Sequence, residues 1–286
     1  MAELPPIIQS LEHLAPRYSA ILCDVWGVVH NGVRTFAHAT SALAIARRRG
    51  LAVVLITNAP RPSPDVIGQL KSIGVPPGSW DAIVTSGDVT RDLIRAGPRK
   101  VYHLGPDRDF SIYEGLDVDL VDEFEASVVV CTGMFDDETE APEDYAAALR
   151  RFRSRDVPFI CANPDIVVER GERLIWCAGA LARDYALLGG RTLISGKPHR
   201  PIYEAALKAA SDILARDIGV RDVIAIGDGM LTDVKGADDN GIDVLYVSGG
   251  IHAGEYGDID DPDPLSLAAF LEAHGRRPVA IMPRLR

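Results

Sequence analysis

The sequence predicts an α/β protein built on a parallel sheet, with a second α/β domain inserted into the first. Three features of the chain predict this. Strand-like and helix-like segments alternate along almost its whole length, which puts helices on both faces of a parallel sheet. The strand-like runs, 51–56 above all, are apolar throughout rather than alternating, as strands covered on both faces are. A block in the middle carries strands and helices of its own.

Residues 20–23 are a short apolar run that ends at Asp24. Ser41 is placed to cap a helix running to Arg49, with Arg47, Arg48 and Arg49 in the last turn and Gly50 beyond it. The run 51–56 is a strand, Pro64 opens a helix that stops near Gly74, and 81–85 is a further strand. The last third repeats the style. A strand at 192–194 is followed by a helix over 201–215 and a strand at 223–226. A short helix over 232–239, ended by Asn240-Gly241, leads to a strand at 244–247. The middle block has strands at 101–104, 127–131 and 158–161, and helices over 142–153 and 178–188, the last ended by Gly189-Gly190. The Asp/Pro-rich stretch 258–264 is read as a loop. The expected division is a core domain, 1–86 and 191–286, around an inserted domain, 87–190.

The 286 residues suit about two domains, and 47% apolar content is that of a packed protein. A formal charge of -11, from 30 Lys+Arg against 41 Asp+Glu, repels phosphate backbones and argues against nucleic acid as a partner. An anionic small molecule is compatible with it only where a site supplies positive charge. Cys23, Cys131, Cys161 and Cys177 form no CxxC pair and lie in apolar surroundings, so they read as buried free thiols of a reducing cytoplasm. No secretory leader is evident in the opening residues. The longest apolar stretch, 174–182, falls well short of the roughly 20 residues of a membrane span, so no membrane partner is expected. A homo-oligomer is left open.

In open parallel sheets ligands sit outside the carboxyl ends of the strands. Four segments put polar groups there: Cys23-Asp24-Val25-Trp26-Gly27, Ile56-Thr57-Asn58, Ser195-Gly196-Lys197-Pro198, and the run from Ile226 through Gly227-Asp228-Gly229 to Asp233. Each alone has an ordinary explanation: Asp24 as a turn or cap residue, Thr57-Asn58 as a loop pair, Lys197 as a solvated charge, Gly-Asp-Gly as a turn. On one sheet edge together, carboxylates and an ammonium suit a hard cation and a phosphate. Asp228 at a strand end and Asp233 in the first turn of the next helix can face one ion. Oxygen donors of this kind suit Mg²⁺, and without a cation the carboxylates would push one another's pKa upward.

Asp24, Thr57, Lys197 and the run Gly227-Asp228-Gly229-Met230-Leu231-Thr232-Asp233 resemble, in order and context, the four motifs of the haloacid dehalogenase (HAD) superfamily. Ile56-Thr57-Asn58, Ser195-Gly196-Lys197-Pro198 and Ala162-Asn163-Pro164-Asp165 are similar to its class IIA, NagD-like p-nitrophenyl phosphatase branch. The resemblance spans about residues 18–250. It implies a Rossmann-like core with an inserted C2-type α/β cap, and a Mg²⁺-dependent hydrolase of small phosphate monoesters. It also implies roles. Asp24 is the nucleophile and forms an aspartyl-phosphate; Thr57 binds phosphoryl oxygens beside the backbone N–H of Asn58. Lys197 neutralises phosphoryl charge and holds Asp24. Asp24, Asp228 and the backbone carbonyl of Trp26 hold the metal, with Asp233 in support. Asn163 and Asp165 are candidates for contacting the substrate.

One departure stands out. Phosphatases of this family carry a second Asp two residues after the nucleophile as general acid/base, and here that residue is Trp26. Indole cannot exchange a proton with a leaving alkoxide, and general acid/base catalysis contributes about 10²- to 10⁴-fold. Three expectations follow: a substitute shuttle, for which His30 is the candidate; a restriction to acidic leaving groups; or a catalytically weak protein that binds a phosphorylated ligand. Dehalogenases of the superfamily also lack this Asp, but a metal-free site gives Asp228 and Asp233 no purpose. Arg183, Tyr185 and His199 are weaker candidates for ligand contact. The acidic run Asp136-Asp137-Glu138 and the basic run Arg150-Arg151-Phe152-Arg153 read as solvated faces.

Overall fold

The computed structural model describes residues 4–171 and 173–286. In chain order its elements are β1 (Ala20–Asp24), α1 (Ala37–Arg48), β2 (Ala52–Thr57), α2 (Ser63–Ser72), β3 (Ala82–Thr85) and α3 (Ser86–Ala96). They continue with β4 (Lys100–Leu104), β5 (Asp119–Leu120), β6 (Val128–Cys131), α4 (Ala146–Ser154), β7 (Phe159–Cys161), β8 (Val167–Arg170) and β9 (Arg173–Trp176). The last are α5 (Ala178–Leu187), β10 (Thr192–Ile194), α6 (Arg200–Leu214), β11 (Val223–Gly227), α7 (Lys235–Asp239), β12 (Asp243–Val247), α8 (Pro264–Ala273) and β13 (Ala280–Met282).

The chain packs as two compact units, one made of 1–57, 67–84 and 203–286, the other of 58–66 and 85–202. In the first unit a six-stranded sheet has the order β13-β12-β11-β1-β2-β3. β1 pairs in parallel with β11 on one side and β2 on the other. β1, β2 and β11 are buried along their whole lengths, which is why their sequences show no alternation. The register aligns Cys23 with Ile226 and Asp24 with Ile56, so the chain leaves β1, β2 and β11 at one level along one edge.

The second unit holds a parallel five-stranded sheet, β10-β7-β6-β4-β5, and an antiparallel hairpin, β8-β9. One face packs Phe159, Cys131 and Cys161 against Phe152 of α4 and Leu181 and Tyr185 of α5. The other packs Val101, Val128, Val130 and Ile160 against Ile94 of α3 and Ile112. All four cysteines are buried free thiols, and burial raises Cys131, Cys161 and Cys177 well above the usual thiol range or to about 12. Among the described residues no helix is long and apolar enough to cross a membrane.

The structure differs from the sequence reading in several places. β10 pairs with β7 and so belongs to the second sheet rather than to the core; its three residues carry no pattern that distinguishes one parallel sheet from another. The second unit accordingly takes in 58–66, 85–86 and 191–202. α1 begins at Ala37, ahead of Ser41, which lies exposed within the helix. The helix read as 232–239 is a π-helical turn, Met230–Val234, followed by α7. Pro264 begins α8 rather than ending a loop, with the Asp263 side chain capping Ser266 N–H. In the acidic run Asp136 and Glu138 are exposed, as a solvated face requires, while Asp137 is half-buried and pairs with Arg108 and Arg170, and Glu138 pairs with Arg170 and Arg173.

Candidate active site

Asp24 is the last residue of β1, where the strand has carried it to the carboxyl edge of the first sheet. The chain then folds tightly: Gly27 N–H donates to the His30 carbonyl at 2.8 Å, with Gly27 at a φ of 84°. That left-handed conformation favours glycine, and space demands it as well. A Cβ on Gly27 would lie 2.2 Å from Oδ2 of Asp228.

Asp228 follows β11 directly. Its Oδ2 accepts Ile251 N–H at 2.8 Å, and a Cβ on Gly250 would lie only 2.0 Å away. Two glycine backbones therefore line one carboxylate. Asp233 sits in the π-helical turn, whose width shows in Val234 N–H reaching Gly229 O at 3.0 Å while Asp233 N–H shares the same acceptor at 2.9 Å. Such turns recur at functional sites because they redirect a side chain. The Asp233 carboxylate accepts Gly229 N–H at 2.9 Å, and a Cβ on Gly227 would collide with it at 2.3 Å.

These features gather Asp24, Asp228 and Asp233, whose ligand oxygens all lie within 4.8 Å of one another. The residues are 5%, 6% and 5% exposed. Like charges so close and so dry are costly unless a cation joins them, and an all-oxygen set suits a hard divalent ion. The donor set therefore fits a hard divalent cation. Beyond the triad, Tyr246 and Tyr256 share a hydrogen bond at 2.9 Å, and Tyr256 donates to Ser248 O. Burial above all, with the Asp228 charge adding to it, pushes Tyr256 up to about 12 and raises Tyr246 too, so both phenols stay neutral.

Thr57, buried, lies at the end of β2, one step beyond the register partner of Asp24. Trp26 turns its indole over Gly32, where a Cβ would meet the ring at 2.5 Å, and packs edge-on to His30 with centroids 5.0 Å apart. His30 is buried, and its Nδ1 accepts Gly32 N–H at 2.8 Å. Burial lowers its pKa to about 4, so it holds no acidic proton at neutral pH. The imidazole fastens a loop, its Nδ1 engaged by the Gly32 N–H.

Within the second unit, the Asn58 amide makes three hydrogen bonds. Its Nδ2 donates to Asp165 Oδ1 at 2.9 Å and to Lys197 O at 3.1 Å, and its Oδ1 accepts Lys197 N–H at 2.7 Å. Lys197 is buried, its backbone gripped from both sides by one side chain. Gly196 lets the segments converge, since a Cβ there would meet Ser86 Oγ at 2.5 Å and Asn58 Oδ1 and Pro164 Cγ at 2.8 Å. Asn163 Oδ1 accepts Asp165 N–H at 3.1 Å, shaping the Asn163-Pro164-Asp165 turn. Asn58, Asp165 and Lys197 are thus brought together. Of the weaker candidates, Tyr185 is buried with its hydroxyl donating to Val157 O, and Arg183 pairs with Asp184. His199 donates its backbone N–H to Gly196 O.

Sequence reading missed His252, whose Nε2 accepts Met230 N–H at 3.2 Å. The strand-end rule applied to β12 would have pointed to its segment, Ser248-Gly249-Gly250-Ile251-His252.

Two family profiles match the chain: haloacid dehalogenase-like hydrolase over residues 21–119, and HAD-hydrolase-like over 194–273. The chain is similar to the crystal structure of a haloacid dehalogenase-like family hydrolase from Brucella suis 1330, at 57% identity over 98% of this chain and 100% of that one, with a TM-score of 0.89. It shares its fold with a 4-nitrophenylphosphatase from Thermotoga maritima, at 22% identity over 94% and 95% of the two chains and a TM-score of 0.69. The 5'-nucleotidase YutF of Bacillus subtilis (strain 168) is 24% identical over 242 residues, 84% of this chain and 90% of the relative.

Proposed function

As the chain belongs to the haloacid dehalogenase-like hydrolase family, we propose that it hydrolyses small phosphate monoesters with Mg²⁺, carrying the phosphoryl group transiently on Asp24. The observation that carries this reading is the buried triad Asp24, Asp228 and Asp233, with ligand oxygens within 4.8 Å. Relatives named as a 4-nitrophenylphosphatase and a 5'-nucleotidase support the reaction class.

In this reading Asp24, Asp228 and the Trp26 carbonyl would hold Mg²⁺ with Asp233 in support, and the bound ion would supply positive charge to offset that of the phosphoryl group. By the resemblance, the Thr57 hydroxyl and the Asn58 N–H bind phosphoryl oxygens, and Lys197 supplies an ammonium that neutralises phosphoryl charge. An Asp24 oxygen attacks phosphorus, the bond to the leaving oxygen breaks, and that oxygen takes its proton from water. A water molecule then attacks phosphorus, releasing inorganic phosphate and restoring the Asp24 carboxylate. By the family resemblance the inserted domain serves as a cap, and Asn163 and Asp165 contribute to substrate choice. The four free buried thiols support a cytoplasmic location.

Trp26 favours a second reading, a catalytically weak protein that binds a phosphorylated ligand. The two are separated with p-nitrophenyl phosphate and Mg²⁺: turnover that is lost in Asp24→Asn and on chelation of the ion supports the enzyme. No turnover, with micromolar binding of a sugar or nucleotide phosphate, supports the binder. Halide release without Mg²⁺ would overturn both.

A further inference from the structure

The π-helical turn Met230–Val234 needs something to hold its first N–H, because the opening donors of any helical turn have no partner within it. Gly229 contributes no side chain, and Met230 is fully buried. The partner comes from another loop. Met230 N–H points at Nε2 of His252, 3.2 Å away, and His252 follows directly after Ile251, whose own N–H donates to Asp228 Oδ2 at 2.8 Å. Two successive residues of the loop after β12 thus grip the segment 228–230 at two points, one on the carboxylate and one on the backbone.

We propose that His252 is a positioning residue for the carboxylate triad: by accepting Met230 N–H it fixes the turn that sets Asp233 against Asp228. This rests on the reading of the triad as a divalent-cation site. The ring is itself held. It packs against Phe270 of α8 with centroids 5.1 Å apart, and Phe270 packs in turn against His274 at 4.5 Å. Burial, and then the neighbouring His274, lower the His252 pKa, against opposing influences from Glu255 and Asp233. Nε2 therefore keeps its lone pair at neutral pH, and the proton of the neutral ring sits on Nδ1. Asp228 and Asp233 are both oriented by backbone N–H groups of these two loops, so a loop that drifts takes the metal geometry with it.

The test compares His252→Leu, which keeps apolar bulk but has no acceptor, with His252→Gln, whose side-chain oxygen reaches about as far as Nε2. Calorimetric titration with Mg²⁺ and amide hydrogen exchange at Met230 are the readouts. The Leu variant binds Mg²⁺ at least about tenfold more weakly, the lower end of what a lost outer-shell partner costs, and its Met230 amide exchanges faster. The Gln variant restores both. If His252 only filled space, Leu would match wild type or do no worse than Gln, and either result overturns the proposal. Wild-type protein that binds no divalent ion overturns the cation reading and this role with it. Wild type that binds Mg²⁺ while the Leu variant binds it equally overturns the role of His252 alone.

Discussion

Gly250→Ala adds one methyl group at the point where the structure leaves least room. Its Cβ would stand 2.0 Å from Asp228 Oδ2, 2.3 Å from Asp228 Cβ and 2.5 Å from Cγ. Carbon atoms in contact prefer about 3.5–4.0 Å, so a shift of over about 1 Å is required. Rotating the carboxylate cannot supply it, because Asp228 Cβ is itself in the way. One of the two loops has to move. Overpacking of this kind costs about 1–3 kcal/mol, and losing the Ile251 N–H bond to a carboxylate about 1.5–3 kcal/mol more. Stability should fall by about 3 kcal/mol or more, and Mg²⁺ affinity by about 10- to 100-fold as a ligand loses its orientation. Gly254→Ala, in the same loop, is the matched control: a Cβ there meets nothing within 4 Å and the backbone is not left-handed. That change should be neutral or stabilise by up to about 1 kcal/mol. Urea unfolding and calorimetric titration with Mg²⁺ read both quantities. Equal stability and equal Mg²⁺ affinity in the two variants would refute the argument that glycine backbones line the Asp228 carboxylate.

Wild-type enzyme should favour aryl over alkyl phosphates, because Trp26 cannot protonate the leaving oxygen. Trp26→Asp should raise kcat/KM on an alkyl phosphate by about 10²-fold or more, and a fall would contradict this account of Trp26. Below neutrality His30 governs part of the stability. The unfolded chain takes up a proton at His30 near pH 6.5 while the folded protein resists until about 4. Its contribution is therefore complete above pH 6.5 and is lost as pH falls towards 4, by about 3 kcal/mol. His30→Asn, which keeps an acceptor for Gly32 N–H, should flatten that loss in urea unfolding at pH 7 and 4.5; an unchanged pH dependence would rule out His30 as its source.

Much of the fold is legible in the sequence where burial is complete on both faces. β1, β2, β11 and β12 announce themselves as unbroken apolar runs, and their order around β1 places their carboxyl ends on one edge. Asp24 and Asp228 are legible for the same reason: each is the first acid at the end of such a run. Short elements are not. β10 reads identically in either sheet until its hydrogen bonds to β7 are seen. The hairpin β8-β9 is hidden in the sequence because β8 is half-buried throughout, β9 is exposed at Arg173 and Leu174, and neither strand alternates cleanly. β13 is three residues long and takes its place through pairing with β12 and a parallel bridge from Ile7 to Ile281. The close approaches that shape the site, Gly27 and Gly250 to Asp228 and His252 to Met230, join residues about 20 or more positions apart and leave no mark on local pattern. Asn58 reads in sequence as a backbone N–H donor to phosphate, and the structure adds what sequence does not show, a side-chain amide that braces Asp165 and Lys197.

The most direct test of the phosphoryl-transfer account is to quench the enzyme in acid during turnover of a phosphate monoester with Mg²⁺ and map the modified peptide by mass spectrometry. The account requires a phosphoryl adduct on Asp24 that is absent from Asp24→Asn and from chelated enzyme. An adduct on any other residue of an enzyme that turns over would contradict it.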